Sequence, residues 1–183
     1  MSSVKKICTC AFCVALSYVL PLVFHAAGLG MAFSPLHFPA LLCGLLCGWP
    51  YGALCGIVGP ILSSVLSGMP AASQLIYMCP EVCVYGLVTG LGMRFIRTGR
   101  TAADIYLSMV PALLLGRVAG GVVRAVAFLS NAQSYTIAMW ASAYVVGTTP
   151  AMVMQLVVLP VLVLALTRAG LIPQRYSKTV PAA

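Results

Sequence analysis

The feature that most constrains this chain is where its charges stand. The 183 residues hold 10 Lys/Arg and 2 Asp/Glu. Eight of the cations fall into three groups: Lys5 and Lys6; Arg94, Arg97 and Arg100; and Arg168, Arg175 and Lys178. Each group flanks a long apolar run, and the outer loops between the runs carry none. Charged residues make up 7% of the chain and hydrophobic ones 62%, against about 25% charged in a soluble domain. With mean hydropathy +1.07, the chain lacks the polar residues to cover a water-facing surface. It reads as an all-α integral membrane protein, residues 1–183 forming one membrane domain with no soluble module. The net charge of +8 follows the positive-inside pattern of membrane proteins and gives no reason to expect nucleic acid.

Length sets the span count. A transmembrane helix takes about 20 residues, so there is room for roughly six. The runs place helix 1 at about 5–25, helix 4 at about 73–93, helix 5 at about 105–130 and helix 6 at about 148–167. The apolar run from Ile7 to Phe24 exceeds the usual h-region of a signal peptide, so helix 1 is expected to be retained. Residues 37–67 are the difficulty. As one helix they would extend about 46 Å against a hydrocarbon core of about 30 Å. The three basic groups should share the cytoplasmic side, which requires an even number of spans before residue 94. Two short helices, about 37–48 and 50–67, meet that requirement, with a turn at Trp49-Pro50 where proline cannot continue the ladder. The result is a compact bundle of six transmembrane helices with both termini cytoplasmic. Gly44, Gly48, Gly52 and Gly56, four apart, form a small-residue face that permits close helix approach. Packing within the bundle is a sufficient account of that face.

Thr148-Thr149-Pro150 offers a cap and a first-turn proline for helix 6. Residues 131–147, polar at Asn131, Gln133 and Ser134 and aromatic at Trp140 and Tyr144, read as an outer lid or interfacial segment. The stretch 94–104, including Asp104, reads as a basic loop.

Three charges then remain within the spans: Glu81, Arg117 and Arg124. Such groups are costly in lipid and normally face a cavity or a partner. Arg117, Arg124 and Asn131 are seven apart on one face of helix 5. Tyr77, Glu81 and Tyr85 are four apart on helix 4. Gln155 is the corresponding polar residue of helix 6. Glu81 falls about 12 Å from the outer end of its helix and Arg124 about 9 Å from the outer end of its own, so the two are at a depth to pair. Arg117, about 20 Å in, is left without a protein acid. A ligand carboxylate or phosphate would supply the missing charge, and arginine suits both through its bidentate fork. The competing account is a structural ion pair of Glu81 with Arg124, with Arg117 bonding backbone carbonyls.

The eight cysteines, Cys8, Cys10, Cys13, Cys43, Cys47, Cys55, Cys79 and Cys83, all lie in apolar runs and read as small buried hydrophobes. Cys10 and Cys13 match C-x-x-C, but nothing supplies the other ligands of a metal site. His25 and His37 flank the first outer loop at no metal-pair spacing. His37 reads as a surface or lid histidine, able with Phe33 and Ser34 to close over a ligand. No catalytic motif and no phosphate-binding loop is present, so neither enzyme, metal nor cofactor is expected.

The stretches FSPLHFPALLCGLLCGWPYGALCGIVGPILSSVLSGMP (33–70) and GTTPAMVMQLVVLPVLVLAL (147–166) resemble the substrate-binding S components of energy-coupling factor vitamin transporters, and the likeness spans most of the chain. It implies a non-enzymatic protein of the bacterial cell membrane. Such a protein binds a micronutrient from outside through helices 4 to 6 and the first outer loop. It docks on a transmembrane coupling subunit that carries two cytoplasmic ATPases. The resemblance implies substrate contacts at Arg117, Arg124, Glu81, Tyr77, Asn131, Gln155 and His37. It implies docking through an A-x-x-x-A pattern, here Ala11 and Ala15, with the glycine face Gly44, Gly48, Gly52 and Gly56 beside it. The FSPLHFP and GMP segments look most like S components assigned to pantothenate. A pyrimidine precursor or a folate is the alternative substrate, and a non-transport membrane scaffold the alternative class.

Overall fold

The structure, a computed structural model, describes residues 2–28, 33, 35–131 and 134–176. Gln133, Ser34 and Lys178 lie outside the described residues. Within them the protein is all-helical, with no strand. Six helices form the bundle: α1 (Ser3–Ala26), α2 (His37–Cys47), α3 (Trp49–Ser67), α4 (Ala72–Phe95), α5 (Thr101–Ser130) and α6 (Thr149–Arg168). A short helix, Ile137–Ala141, and a π-helical turn, Ser142–Val146, lead into α6. Five segments are long and apolar enough to cross a membrane: α1, α3, α4, α5 and Ile137–Arg168. The sixth, α2, has 11 residues and spans about 16 Å, roughly half a hydrocarbon core.

The burial pattern is inside out relative to a water-soluble helix. Along α5 the exposed side include Leu107, Val110, Leu114, Val118, Val122 and Val126, at steps of three and four. The opposite face buries Asp104, Ser108, Gly116, Arg117 and Gly120. Apolar residues outside and polar ones inside suit a surrounding hydrocarbon solvent. Interior hydroxyls bond back along their own helices, Ser17 to the Cys13 carbonyl at 3.0 Å and Ser108 to that of Asp104 at 2.7 Å, so they add no unsatisfied group. Each of α1, α3, α4, α5 and α6 carries an internal proline, at Pro21, Pro60, Pro80, Pro111 and Pro160 respectively. Membrane helices tolerate this because neighbours and local adjustment satisfy the freed carbonyls.

The break in the glycine stretch falls at Gly48, one residue before the expected Trp49-Pro50 turn. Gly48 has φ 94°, a conformation glycine adopts without steric cost, and Pro50 then sits in the first turn of α3. The glycine face turns inward. A Cβ on Gly52 would fall 2.8 Å from the Gly86 carbonyl carbon, and one on Gly56 2.6 Å from the Cys83 Cα. Gly44 meets Gly86 and Thr89 in the same way. So Gly44, Gly52 and Gly56 are spent on backbone-to-backbone packing of α2 and α3 against α4, and Gly48 is the turn.

Two boundaries differ from expectation. The basic loop is shorter, because α4 runs to Phe95 and α5 starts at Thr101. Asp104 is consequently a buried helical residue. It accepts from the Thr98 amide (2.8 Å), the Thr98 hydroxyl (2.7 Å) and the Tyr176 hydroxyl (2.6 Å), and pairs with Arg175 Nε at 2.6 Å. Thr148 does not cap α6 with its side chain. Its hydroxyl donates to the Tyr144 carbonyl at 2.8 Å, because the chain is already helical before it. Lys6, the Gly48 turn, the α4–α5 loop and Arg175 all border one cleft, which fixes one end of the bundle. His25, His37, Gly68 and Gln74 border another at the opposite end.

Candidate functional site

The interior polar groups cluster between α4, α5 and the 137–146 segment. On α4, the Tyr85 hydroxyl donates to Glu81 Oε1 at 2.6 Å. Both side chains are buried, four residues apart on one helical face. Glycines on α5 make room for them. A Cβ on Gly116 would strike the Tyr85 ring, and one on Gly120 would come within 2.9 Å of Glu81 Oε2. From α2, His37 sets its ring edge-on to Tyr85, with centroids 5.1 Å apart. His37 is 5% exposed, so it is an interior residue and not the surface or lid histidine expected.

Arg117 is 3% exposed. Its Nη1 donates to the Tyr144 carbonyl, and its own carbonyl accepts from Trp140 Nε1 at 3.2 Å. The Trp140 indole lies over Gly121, where a Cβ would overlap it. Trp140 and Tyr144 stack nearly parallel, 24° apart with centroids at 6.3 Å. The stretch expected to be an outer lid or interfacial segment is, at Trp140 and Tyr144, tied to the middle of α5. Arg124 lies over the Tyr77 ring at 5.0 Å and the Phe128 ring at 5.7 Å, distances at which cation–π attraction operates.

The Glu81–Arg124 pair is absent. Among the described residues the one ion pair is Arg175 with Asp104, and Glu81 takes its hydrogen bond from Tyr85 instead. Four side chains, Arg117 and Gln155 buried and Arg124 and Tyr135 half-buried, keep buried polar atoms without a hydrogen-bond partner among the described residues: Arg117 Nε, Arg124 Nε, the Tyr135 hydroxyl, and both amide atoms of Gln155. Buried polar groups are normally paired, so these are the atoms a polar ligand would address. Asn131 does not join them. It is exposed at the end of α5, and its Nδ2 donates to the Ala127 carbonyl at 2.8 Å.

Tyr85, the Tyr144 carbonyl and the Tyr135 hydroxyl are not among the contacts expected from the sequence. The signal for Tyr85 was available: Gly116 and Gly120 on α5 repeat the four-residue step of Glu81 and Tyr85 on α4. Nothing in the sequence marks a backbone carbonyl in a π-helical turn. A family model, that of the ECF transporter, substrate-specific component, matches residues 5–172. The chain belongs to this family. No curated protein and no solved structure matches it. As an S component it is a multi-pass membrane protein of a micronutrient-uptake system and a transport protein, not an enzyme. For such a component, a buried polar interior walled by α4, α5 and an aromatic segment is the part suited to recognising a solute.

Proposed function

We propose that this S component binds an anionic vitamin, pantothenate in the first instance, for uptake across the bacterial cell membrane. The observation that carries the reading is Arg117: a buried guanidinium with one nitrogen unpartnered among the described residues and no acid within salt-bridge distance. A carboxylate would complete its fork. Arg124, held over Tyr77, adds a second positive charge, Glu81 and Tyr85 offer acceptor and donor to hydroxyl groups, and Gln155 matches an amide. His37 shapes the α2 side. Asn131 enters only if the end of α5 rearranges on binding. The nearly parallel Trp140–Tyr144 pair favours a second reading, a vitamin with a planar heteroaromatic ring such as a pyrimidine precursor or a folate.

In the proposed topology all six helices cross or enter the bilayer. The end holding Lys6, Arg94, Arg97 and Arg175 is cytoplasmic, as the charge asymmetry requires. Energy comes from a transmembrane coupling subunit with two ATPases. Ala11 and Ala15 support docking through α1. Both are exposed and border a groove of about 370 Å³ with Tyr51, Leu54 and Val58. The glycines of α2 and α3 contribute by keeping α4 close behind that face.

The test is thermal stability of the detergent-solubilised protein against a vitamin panel. A ligand at 100 times its Kd stabilises the folded state by about 2.7 kcal/mol. The expected result is a shift with pantothenate that Arg117→Ala abolishes in folded protein. A shift with another vitamin alone would replace the substrate. A shift that survives Arg117→Ala and Arg124→Ala would overturn the anion argument.

A further inference from the structure

A second site lies at the opposite end of the bundle from His25 and His37. A cleft of about 700 Å³ is bordered there by Lys6 of α1, Arg94 of α4, Arg97 of the α4–α5 loop and Arg175 after α6. These four cations come from three separate parts of the chain, and folding brings them to one cavity. Trp49 and Tyr51 of α3 stand in its wall, with Trp49 39% exposed. Amphipathic aromatic rings of this kind mark the membrane–water boundary.

Among the described residues, most of the charge in the cleft has no internal answer. The protein has two acidic side chains in all. Glu81 is in the interior with Tyr85. Asp104 already accepts from Thr98 and Tyr176 and pairs with Arg175. That pairing neutralises Arg175 and pins it to the α4–α5 loop, where it also donates to the Ile96 carbonyl. Among the described residues, Lys6, Arg94 and Arg97 are left without a carboxylate. Helix ends of both polarities meet here, since α2 and α4 finish and α3 and α5 begin, so the side chains set the sign of the field.

We propose that this cleft is a binding site for a phosphate-bearing ligand, either the headgroup of an anionic phospholipid or a free phosphate. Basic pockets between membrane helices recognise such headgroups, and each nearby Lys or Arg strengthens attraction to an anionic surface about fivefold. Arginine adds a bidentate match to phosphate oxygens. The site is separate from the proposed vitamin pocket, and its binding requires neither that pocket nor the assigned orientation.

The competing account is that these cations only fix topology. It predicts that arginines in and out of the cleft are interchangeable. The test compares R94Q/R97Q, inside the cleft, with R100Q/R168Q, two flanking arginines that do not line it. Bound lipid is counted by native mass spectrometry of the detergent-solubilised full chain, titrated with phosphatidylglycerol and, separately, phosphatidylcholine. A second arm follows thermal stability with sodium pyrophosphate at constant ionic strength. The expected result is phosphatidylglycerol binding weakened about 25-fold in R94Q/R97Q and less than twofold in R100Q/R168Q. Stabilisation by pyrophosphate, lost in the cleft variant, would assign a free phosphate as well or instead. Equal loss in both pairs, or no preference for either phosphate probe over its control, overturns the proposal. Vitamin binding read in the same preparations reports folding of each variant that binds; Lys6→Gln replaces the double variant if it does not fold.

Discussion

The two sides of α4 use glycine for opposite purposes. Toward α2 and α3, Gly86 meets Gly52 and Gly44 backbone to backbone. Between Gly86 and Gly52 no side chain intervenes, the Thr89 hydroxyl fills the space beside Gly44, and the seam is closed. Toward α5, Gly116 and Gly120 meet the Tyr85 ring and the Glu81 carboxylate. There the missing Cβ makes room for polar side chains, and the seam holds a chemical site. Sequence spacing alone shows the same small-residue step on both sides. The difference is what lies across from it: a second glycine gives a scaffold, a large polar residue gives a pocket.

The sharpest way to break this comparison is one methyl group on each side. A Cβ on Gly86 would fall 2.9 Å from the Gly52 Cα and nearer still to its carbonyl. Backbone atoms held by two helices cannot move aside. Gly86→Ala is expected to cost at least about 3 kcal/mol, the upper range for overpacking. It should abolish the monodisperse peak in size-exclusion chromatography. A Gly86→Ala protein of unchanged melting temperature would show that the α3–α4 seam is not closed.

Arg117→Ala is the largest effect expected in the pocket. Removing a buried charge that pairs with a ligand costs about 2–5 kcal/mol of binding, so affinity for an anionic vitamin should fall by about 30-fold or more. Isothermal titration in detergent measures it. Gly120→Ala comes next. Its Cβ would meet Glu81 Oε2 at 2.9 Å, a carboxylate end that can turn aside, and Glu81 Cβ at 3.0 Å, where α4 must give by a few tenths of an ångström. The variant should fold, losing about 1 kcal/mol and about tenfold in affinity, since a carboxylate so displaced no longer holds its hydrogen bond with Tyr85. If Gly120→Ala unfolds the protein as readily as Gly86→Ala, the two seams are alike and the distinction fails.

Much of this architecture was legible in the charges. Eight of the ten cations flank apolar runs, and that pattern pointed to the membrane class, the helix positions and the break between α2 and α3. The identity of the polar interior residues was legible too, because Glu81, Arg117 and Gln155 are conspicuous in apolar helices. Their partners were not. Depth along a helix places Glu81 and Arg124 side by side, but it carries no information on rotation, and Glu81 in fact bonds Tyr85 on its own helix. His37 looked like a loop residue because α2 begins at it; tertiary packing against Tyr85 buries it. Asp104 looked like a loop acid because the composition around it is basic. Its burial depends on Arg175 returning from the far end of the chain, a contact 71 residues distant that no local pattern encodes.

Gln155 sharpens the comparison most finely, because its two expected effects have opposite signs. It is fully buried, and neither amide atom has a partner among the described residues. In a scaffold seam such a group is a liability: a buried amide without a hydrogen bond costs about 1–3 kcal/mol by mutational measures. In a pocket it is held ready for a ligand. Gln155→Leu, close in volume and without polar atoms, should therefore raise the melting temperature of the ligand-free protein by a few degrees. The same change should weaken vitamin binding by about fivefold, the worth of one neutral hydrogen bond. Both are read in one thermal-shift titration, with and without ligand. A variant that gains stability and keeps its affinity would move Gln155 from the pocket to the scaffold. One that loses both would show that its amide already bonds within the folded protein.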